Sequence, residues 1–437
     1  MERARALMAG CGGGRGGEGG TVAVIGAGVV GVATALHLLR AGRAVTLIDR
    51  AEPGAATAAS YGNAGVLAAS AVVPVTVPGI LAKAPRMLLD RDQPLFLRWA
   101  YLPKLAPWLA RYLSHASEAE TRRIAAALTP IIGDSLADHQ ALSAGTPAAR
   151  FVVPARYLYA YRDRAAFDGD AFGWSVRAAN GFAWETLEGE ALRAAEPALG
   201  PAMGFGVRLD GHGRISDPGA YVAALAREAV RLGARVLRGA VEDVALQGGR
   251  VVGVRVDGET IPCEAAALTA GAWSGPLARR LGVAAPLESE RGYHLELWGP
   301  SAMPRGPIMV SAGKFVATPM EGRLRLAGVV EFGGLRAGPS RAPLEMLRRH
   351  VRRAFPALRW EREEEWMGHR PAPADSIPLI GPAPAVRGAW LGFGHHHVGL
   401  TGGPRTGRLL AQMIAGERSN IDLSPYAPAR FAAARGA

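Results

Sequence analysis

Apolar and polar positions follow distinct rhythms along the chain, and the first is the most explicit. Thr21-Val22-Ala23-Val24-Ile25 is an apolar run short enough for a strand buried on both faces. The segment Gly26-Ala27-Gly28-Val29-Val30-Gly31 follows, and Ala33, Ala35, Leu36 and Leu39 then mark a helix that stops at Ala41-Gly42. Ala44-Val45-Thr46-Leu47-Ile48 is a second buried run, closed by Asp49. Strand, glycine turn, helix and strand in this order predict a βαβ unit with parallel strands.

Farther along, the pattern mixes the two periods. A small, polar stretch at 55–65 reads as a loop before the apolar pair Val66-Leu67, and 74–114 is punctuated by proline and rich in aromatics. Helical spacing covers 118–142 and 165–180, with strand-like text at 151–161 interrupted by Pro154. Asp217-Pro218 predicts a helix start, an N-cap acid followed by proline in the first turn, and the helix runs to Gly233. A β-meander is expected over 235–237, 241–246, 251–257 and 260–261, leading into a small apolar run at 265–270. Alternating strands follow at 293–297, 314–319 and 324–330, and a helix at 343–355. Near the end, Ala389-Trp390-Leu391-Gly392-Phe393-Gly394 is a buried strand with glycines at its exit. Gly402-Gly403-Pro404 is expected to open a helix over 405–415.

Composition narrows the class. At 437 residues, 49% hydrophobic and 20% charged, the chain is long enough for two domains and has no uncharged apolar run that would span a membrane. Residues 1–20 are glycine-rich, lack the apolar core of a signal peptide, and are expected to be a loose tail. Cys11 and Cys263 make neither a disulfide framework nor a metal site, which suits a cytoplasmic location. The net charge of +12 comes almost wholly from scattered arginines beside glutamates, which reads as solvated helix faces rather than a nucleic-acid surface.

The chemistry begins in the first unit. Gly26 permits the tight turn, Gly28 lets the backbone approach a pyrophosphate, and Gly31 lets the helix pack on the strand. Val29 and Val30 lie in the first helical turn, where unpaired N–H groups and the positive dipole end face anions. Asp49, 18 residues beyond Gly31, stands where a carboxylate accepts hydrogen bonds from a ribose. Its charge, with Arg50 beside it, disfavours a 2′-phosphate. NAD and FAD both remain open at this point. The second strand–glycine–helix passage near the C-terminus tilts the choice to FAD, because a reduced flavin carries negative charge near its pyrimidine edge and a helix N-terminus stabilises it. His395-His396-His397 has no carboxylate companion nearby in sequence, so no metal is expected. His395 is placed near the flavin and its neighbours in packing or surface roles.

In its ordered blocks the chain resembles the D-amino-acid-dehydrogenase small-subunit-like flavoproteins of the D-amino-acid-oxidase superfamily. The blocks are 24–50, 60–66, 268–293, and Gly368-His369-Arg370-Pro371 through Asp375 and Pro378-Leu379-Ile380-Gly381 to 394–407. The triple histidine departs from the family's Gly-His-Gly type of turn. The resemblance implies a fold of class α/β and α+β, with a Rossmann-like FAD-binding domain of discontinuous segments (21–73, 210–285 and 367–437). A mixed-sheet substrate domain would occupy 74–209 and 286–366. It further implies non-covalent FAD lying against Ser60, Asn63, Ala64 and Gly65, with adenine at Val241, close approach at Gly271, and the flavin edge covered by Gly399, Leu400, Thr401 and Gly402.

By the same resemblance Arg370 clamps a substrate carboxylate from a Gly/Pro-flanked turn, and Tyr293 or His294 helps close that pocket. An arginine fork suits a carboxylate because two parallel charge-assisted bonds fix its plane. The implied reaction oxidises a D-amino acid or cyclic imino acid by hydride transfer from Cα, with electrons passed to a quinone or another respiratory acceptor. An oxygen-using glycine- or sarcosine-type oxidase is the alternative, and a tRNA-modifying flavoprotein a remoter one. The aromatic stretch 94–112 has two readings. Either Trp99, Tyr101, Trp108 and Tyr112 face the core, or they form an interfacial patch for peripheral membrane contact on the inner face.

Overall fold

Val22–Ile25 is fully buried and lies inside a six-stranded sheet. Val45–Asp49 and then Arg235–Arg238 extend the sheet on one side; Ala265–Leu268, Ala389–Phe393 and Leu379–Pro382 extend it on the other. All six run parallel except Leu379–Pro382, which closes its edge antiparallel. This computed structural model describes residues 20–432; Cys11 and the rest of the expected tail, residues 1–19, lie outside the described residues.

The glycine turn is built as its sequence demands. Gly26 has φ +107°, and an added Cβ there would strike the backbone of Thr269. At Gly31 a Cβ would come within 1.8 Å of the Gly26 carbonyl oxygen, so only glycine lets the Val29–Arg40 helix sit this close to its strand. That helix packs against Gly399–Ile414. Gly403 abuts Val29 and Gly407 abuts Ala33 and Thr34, so the two helices run side by side with their N-termini together. Around them and Pro218–Arg231 lies the largest apolar core.

A second sheet of ten strands runs from Arg362–Pro373 through Leu287–Trp298, Arg323–Phe332, Phe315–Met320, Ile308–Val310 and Val152–Tyr161 to Phe205–Ile215 and Val66–Leu67. Leu95–Leu97 and Glu185–Glu188 pair beside this path. Its own core lies against the helix Arg341–Ala354. Two of its strands, Phe205–Ile215 and Arg362–Pro373, run unbroken across the domain borders expected at 209/210 and 366/367.

Several sequence expectations need correction. Arg235–Arg238 is not the first strand of a meander. The helix before it is a crossover, so the strand returns parallel to Val45–Asp49, and the antiparallel meander is Val241–Gln247, Arg250–Val256 and Glu259–Pro262. The helix expected over 118–142 breaks into Glu118–Ile132 and Ser135–Ser143. Asp134, at the break, pairs its carboxylate with Arg405 at 2.8 Å. The last helix starts at Gly399, three residues before the expected Gly402, and encloses Pro404. Proline has no N–H to bond the Leu400 carbonyl, and His139 Nε2 takes that carbonyl instead at 2.9 Å.

The aromatic stretch turns inward. Trp108 and Tyr112 are buried and stacked at 4.5 Å, and Trp108 Nε1 donates to the Ala372 carbonyl. Only Trp99 of the four is widely exposed, so they form no interfacial patch. Among the described residues no helix is long and apolar enough to cross a membrane.

Candidate active site

Both helix N-termini open into one cavity of about 1410 Å³, which continues between the six-stranded and ten-stranded sheets. Of the residues expected at a cofactor, Gly26, Gly28, Val29, Val30, Asp49, Arg50, Ser60, Asn63, Ala64, Val241, Gly271, His395, Gly399, Leu400 and Thr401 all line it. Gly31, Gly65, Gly394 and Gly402 do not, and Gly402 packs against Ile131 and Ile132 instead. Gly31 serves helix packing, while Gly65 (φ +74°) and Gly394 (φ +90°) set backbone direction beside the cavity.

The phosphate end is prepared but not rigidly open. Val29 N–H donates to Ser60 Oγ at 3.0 Å, which ties the 55–65 loop to the first helical turn. The N–H groups of Val30 and Gly31 have no hydrogen-bond partner among the described residues. Asp49 accepts from Ala27 N–H at 2.7 Å and Ala51 N–H at 3.1 Å, so it braces the glycine turn as well as lining the cavity. At the same end the Arg50 guanidinium lies 4.6 Å from the Trp273 ring centroid. A long, twice-anionic ligand meets what it needs here: backbone free of Cβ at Gly28, free N–H donors at one helix end, and a second helix end farther along.

Arg370 lines the same cavity. It belongs to the strand Arg362–Pro373, not to a turn as expected, and its guanidinium reaches the cavity by lying across Gly292 on the neighbouring strand. Nη1 donates to the Val329 carbonyl at 3.3 Å, leaving other N–H groups for a ligand. Burial pulls its pKa down and the Glu290 carboxylate opposes that.

Tyr293 and His294 are not brought to the cavity. Strand alternation sends Tyr293 to the opposite sheet face, where its hydroxyl accepts from Ser340 N–H at 2.9 Å and donates to Glu331. His294 shares the face of Gly292 but lies under Trp366, stacked at 4.9 Å with an interplanar angle of 17°, and bonds the Gly62 carbonyl at 3.1 Å. Burial holds its pKa well below the ordinary histidine range, with Arg325 and Arg323 adding to the effect. Its part is to hold the 55–65 loop.

Three residues escaped the sequence reading. Arg325 is fully buried, bonds the carbonyls of Tyr61 and Asn63 at 2.7 and 2.6 Å, and pairs with Glu296 at 2.6 Å, so it moulds the loop expected against the flavin. Arginines at 323 and 325, alternating with leucines in a largely apolar strand, were the available signal. Trp366 fits into spaces left by Gly62 and Gly368, and its Nε1 donates to the Ala56 carbonyl at 2.6 Å.

Glu290 is the third. It is the cross-strand partner of Arg370, is 2% exposed, and lines the cavity. Its carboxylate stands 3.5 Å from His396 Nδ1, and the ligating atoms of Glu290, His396 and His397 all lie within 4.8 Å of one another. The expectation that no carboxylate accompanies the histidines is thereby corrected, because sheet register supplies one from more than a hundred residues away. Burial pushes the Glu290 carboxyl up, and His396, Arg370 and His397 outweigh it, holding its pKa at about 2. His395 is buried with Nε2 at 2.9 Å from Thr406 Oγ1, and burial first, then His396, lowers its pKa to about 4.

Comparison with known proteins agrees with this geometry. A family model described as FAD dependent oxidoreductase matches residues 21–413. A D-amino-acid oxidase of Bradyrhizobium diazoefficiens is 43% identical over 419 residues, covering 95% of this chain and 99% of its own. A D-amino acid dehydrogenase of Methylobacterium nodulans is 34% identical over 422 residues, with 94% and 99% covered. In fold, the chain is similar to a glycine oxidase from Geobacillus kaustophilus, with a TM-score of 0.70 at 21% identity and 93% and 98% of the two chains covered. An L-proline dehydrogenase from P. horikoshii superposes with a TM-score of 0.71 at 17% identity, covering 95% and 98%.

Proposed function

The chain belongs to the FAD dependent oxidoreductase family, and on that premise we propose that it oxidises the Cα–N bond of a D-amino acid or cyclic imino acid. The product is an imino acid that water hydrolyses to a 2-oxo acid. FAD, held non-covalently, supplies a two-electron acceptor when bound. Two D-amino-acid-oxidising relatives at 43% and 34% identity, each covered almost end to end, support the substrate class.

The single observation that carries the reading is Arg370, a guanidinium with free N–H groups in the same cavity that both helix N-termini line. It binds the substrate carboxylate and so orients Cα, which is where most of the rate advantage of such a site arises. Leu95, Leu97, Leu105 and Leu109, clustered with Ala372 beside it, form an apolar wall that excludes water and strengthens that ion pair.

We assign the electrons to a respiratory acceptor such as a quinone. The 43% identical relative named as an oxidase favours a second reading, transfer to oxygen. One experiment tests both. The purified flavoprotein is mixed anaerobically with D-amino acids, L-amino acids, prolines and N-methylglycine, and visible bleaching is followed; reoxidation by a soluble quinone and by air is then timed. Bleaching by D-substrates with slow reoxidation in air is the expected result. Rapid peroxide formation selects the oxidase reading, and no bleaching by any amino acid overturns the proposal.

A further inference from the structure

Glu290 is a buried carboxylate with one oxygen left without a close donor. Its Oε2 has no hydrogen-bond partner among the described residues, although the side chain is 2% exposed and borders the cavity. Burying an ion without compensation is strongly unfavourable, so its surroundings require an account. His396 gives only part of one. Its Nδ1 stands 3.5 Å from Oε2, at the outer limit of a hydrogen bond, and its Nε2 is already engaged at 3.1 Å with the Pro373 carbonyl. A buried carboxylate so thinly held at a cavity wall has room for a cationic donor from the cavity.

Position narrows what that donor is. Glu290 and Arg370 are direct cross-strand partners in the antiparallel pair Leu287–Trp298 and Arg362–Pro373, which sets their Cβ atoms about 5 Å apart on one face. A carboxylate on Arg370 and a cation at Glu290 are therefore neighbours within the ligand. An α-amino acid has that arrangement, since its two charged groups sit on adjacent atoms. The terminal charge of a lysine- or arginine-like side chain lies too far from the α-carboxylate. A divalent metal fits poorly, because the Arg370 guanidinium beside Glu290 repels a double charge.

We propose that Glu290, with His396 Nδ1 beside it, is the receptor for the α-ammonium group of the substrate. Glu290 and Arg370 together then read the zwitterion and reject 2-hydroxy acids and simple carboxylates. This rests on the amino-acid reading of the site given above. The proposal concerns recognition; Glu290 anchors the amine and is assigned no part in removing its proton.

The test compares three ligands of one size, D-alanine, D-lactate and propionate, on the flavin-loaded enzyme. Binding is read from perturbation or bleaching of the visible spectrum, and turnover from kcat and KM. Wild type is expected to hold D-alanine more tightly than propionate or lactate. In Glu290→Gln, KM for D-alanine should rise about 10- to 100-fold, the loss expected for one charged hydrogen bond, while propionate binds as well or better. Arg370→Ala should weaken both ligands.

Equal affinity of the wild type for D-alanine and propionate overturns the assignment, and needs no variant to be stable. So does a Glu290→Gln enzyme that keeps its KM, or one that loses both ligands alike. Turnover that depends on an added divalent cation and is abolished by a chelator would also overturn it, making Glu290 a metal ligand. A wild type that no α-amino acid bleaches defeats the functional reading itself, which is a separate result from a wild type that bleaches and a variant that matches it.

Discussion

The Arg370 guanidinium lies across the backbone of Gly292, so that a Cβ at position 292 would come within 2.7 Å of its Cζ. The struck atoms are the far end of a flexible side chain, so a Gly292→Ala enzyme should fold and keep its flavin while the guanidinium shifts. Misplacing a positioning group by about 1 Å costs on the order of 100-fold in rate, and kcat/KM should fall by about that much. Steady-state kinetics beside the visible spectrum separates this from loss of cofactor.

Arg370→Lys should retain charge but lose the two-pronged grip on a carboxylate. A fall in kcat/KM of roughly 10- to 100-fold is expected, with Arg370→Ala lower still and both proteins yellow. Undiminished turnover in either would remove Arg370 from the substrate.

Gly31→Ala is expected to act on the cofactor seat. Its Cβ would lie 1.8 Å from the Gly26 carbonyl oxygen, a backbone atom that cannot step aside alone, so helix and strand must separate. Overpacking of this kind costs about 1–3 kcal/mol or more. The variant should melt several degrees lower and bind FAD weakly, which thermal scans with and without added FAD would show.

Arg325 and Glu296 should behave as a pair. Breaking a buried ion pair from one side costs about 3–5 kcal/mol, whereas replacing both partners with apolar groups is often neutral. Glu296→Leu and Arg325→Met alone are each expected to be unstable. The double variant should regain only part of that stability, because buried Arg323 also donates to Glu296 and is left with the Asp217 carboxylate alone. It should still bind flavin poorly, since Arg325 also holds the Tyr61 and Asn63 carbonyls. A double-mutant cycle on melting temperature and FAD affinity measures both effects.

Stability should decline in mild acid before most carboxylates titrate. His139 is fully buried between the Tyr221 hydroxyl and the Leu400 carbonyl, and burial lowers its pKa from 6.5 to about 4. The folded state therefore binds its proton later than the unfolded state does. The neutral histidine's contribution is complete above pH 6.5 and is lost as pH falls from there toward 4, amounting to about 3 kcal/mol for a shift of this size. Melting temperature should drop between pH 7 and pH 5, and His139→Gln should flatten that slope.

What could be read from the chain alone was what lies close together along it. The turn at Gly26–Gly31 with Asp49 after it is contiguous, and the Asp217-Pro218 start signals itself in two residues, with Asp217 accepting from Ala220 N–H at 2.9 Å. Glu290 was invisible for the opposite reason. Its meaning depends on a register that sets it against Arg370 and on a histidine more than a hundred residues later. Tyr293 was misplaced because one residue of strand decides which face a side chain takes. The early start of the last helix, through Pro404, required His139 to take over an orphaned carbonyl, and nothing local foretells such a partner.

Some 370 residues separate Val29 from Gly399, the two places where helix ends enter the same cavity. A ribosome emitting this chain exposes the first half of the seat long before the second half exists. Loading with FAD is therefore an event of the finished polypeptide, and a nascent chain halted short of Ile414 should leave the vitamin-derived group in solution however complete its opening βαβ unit has become.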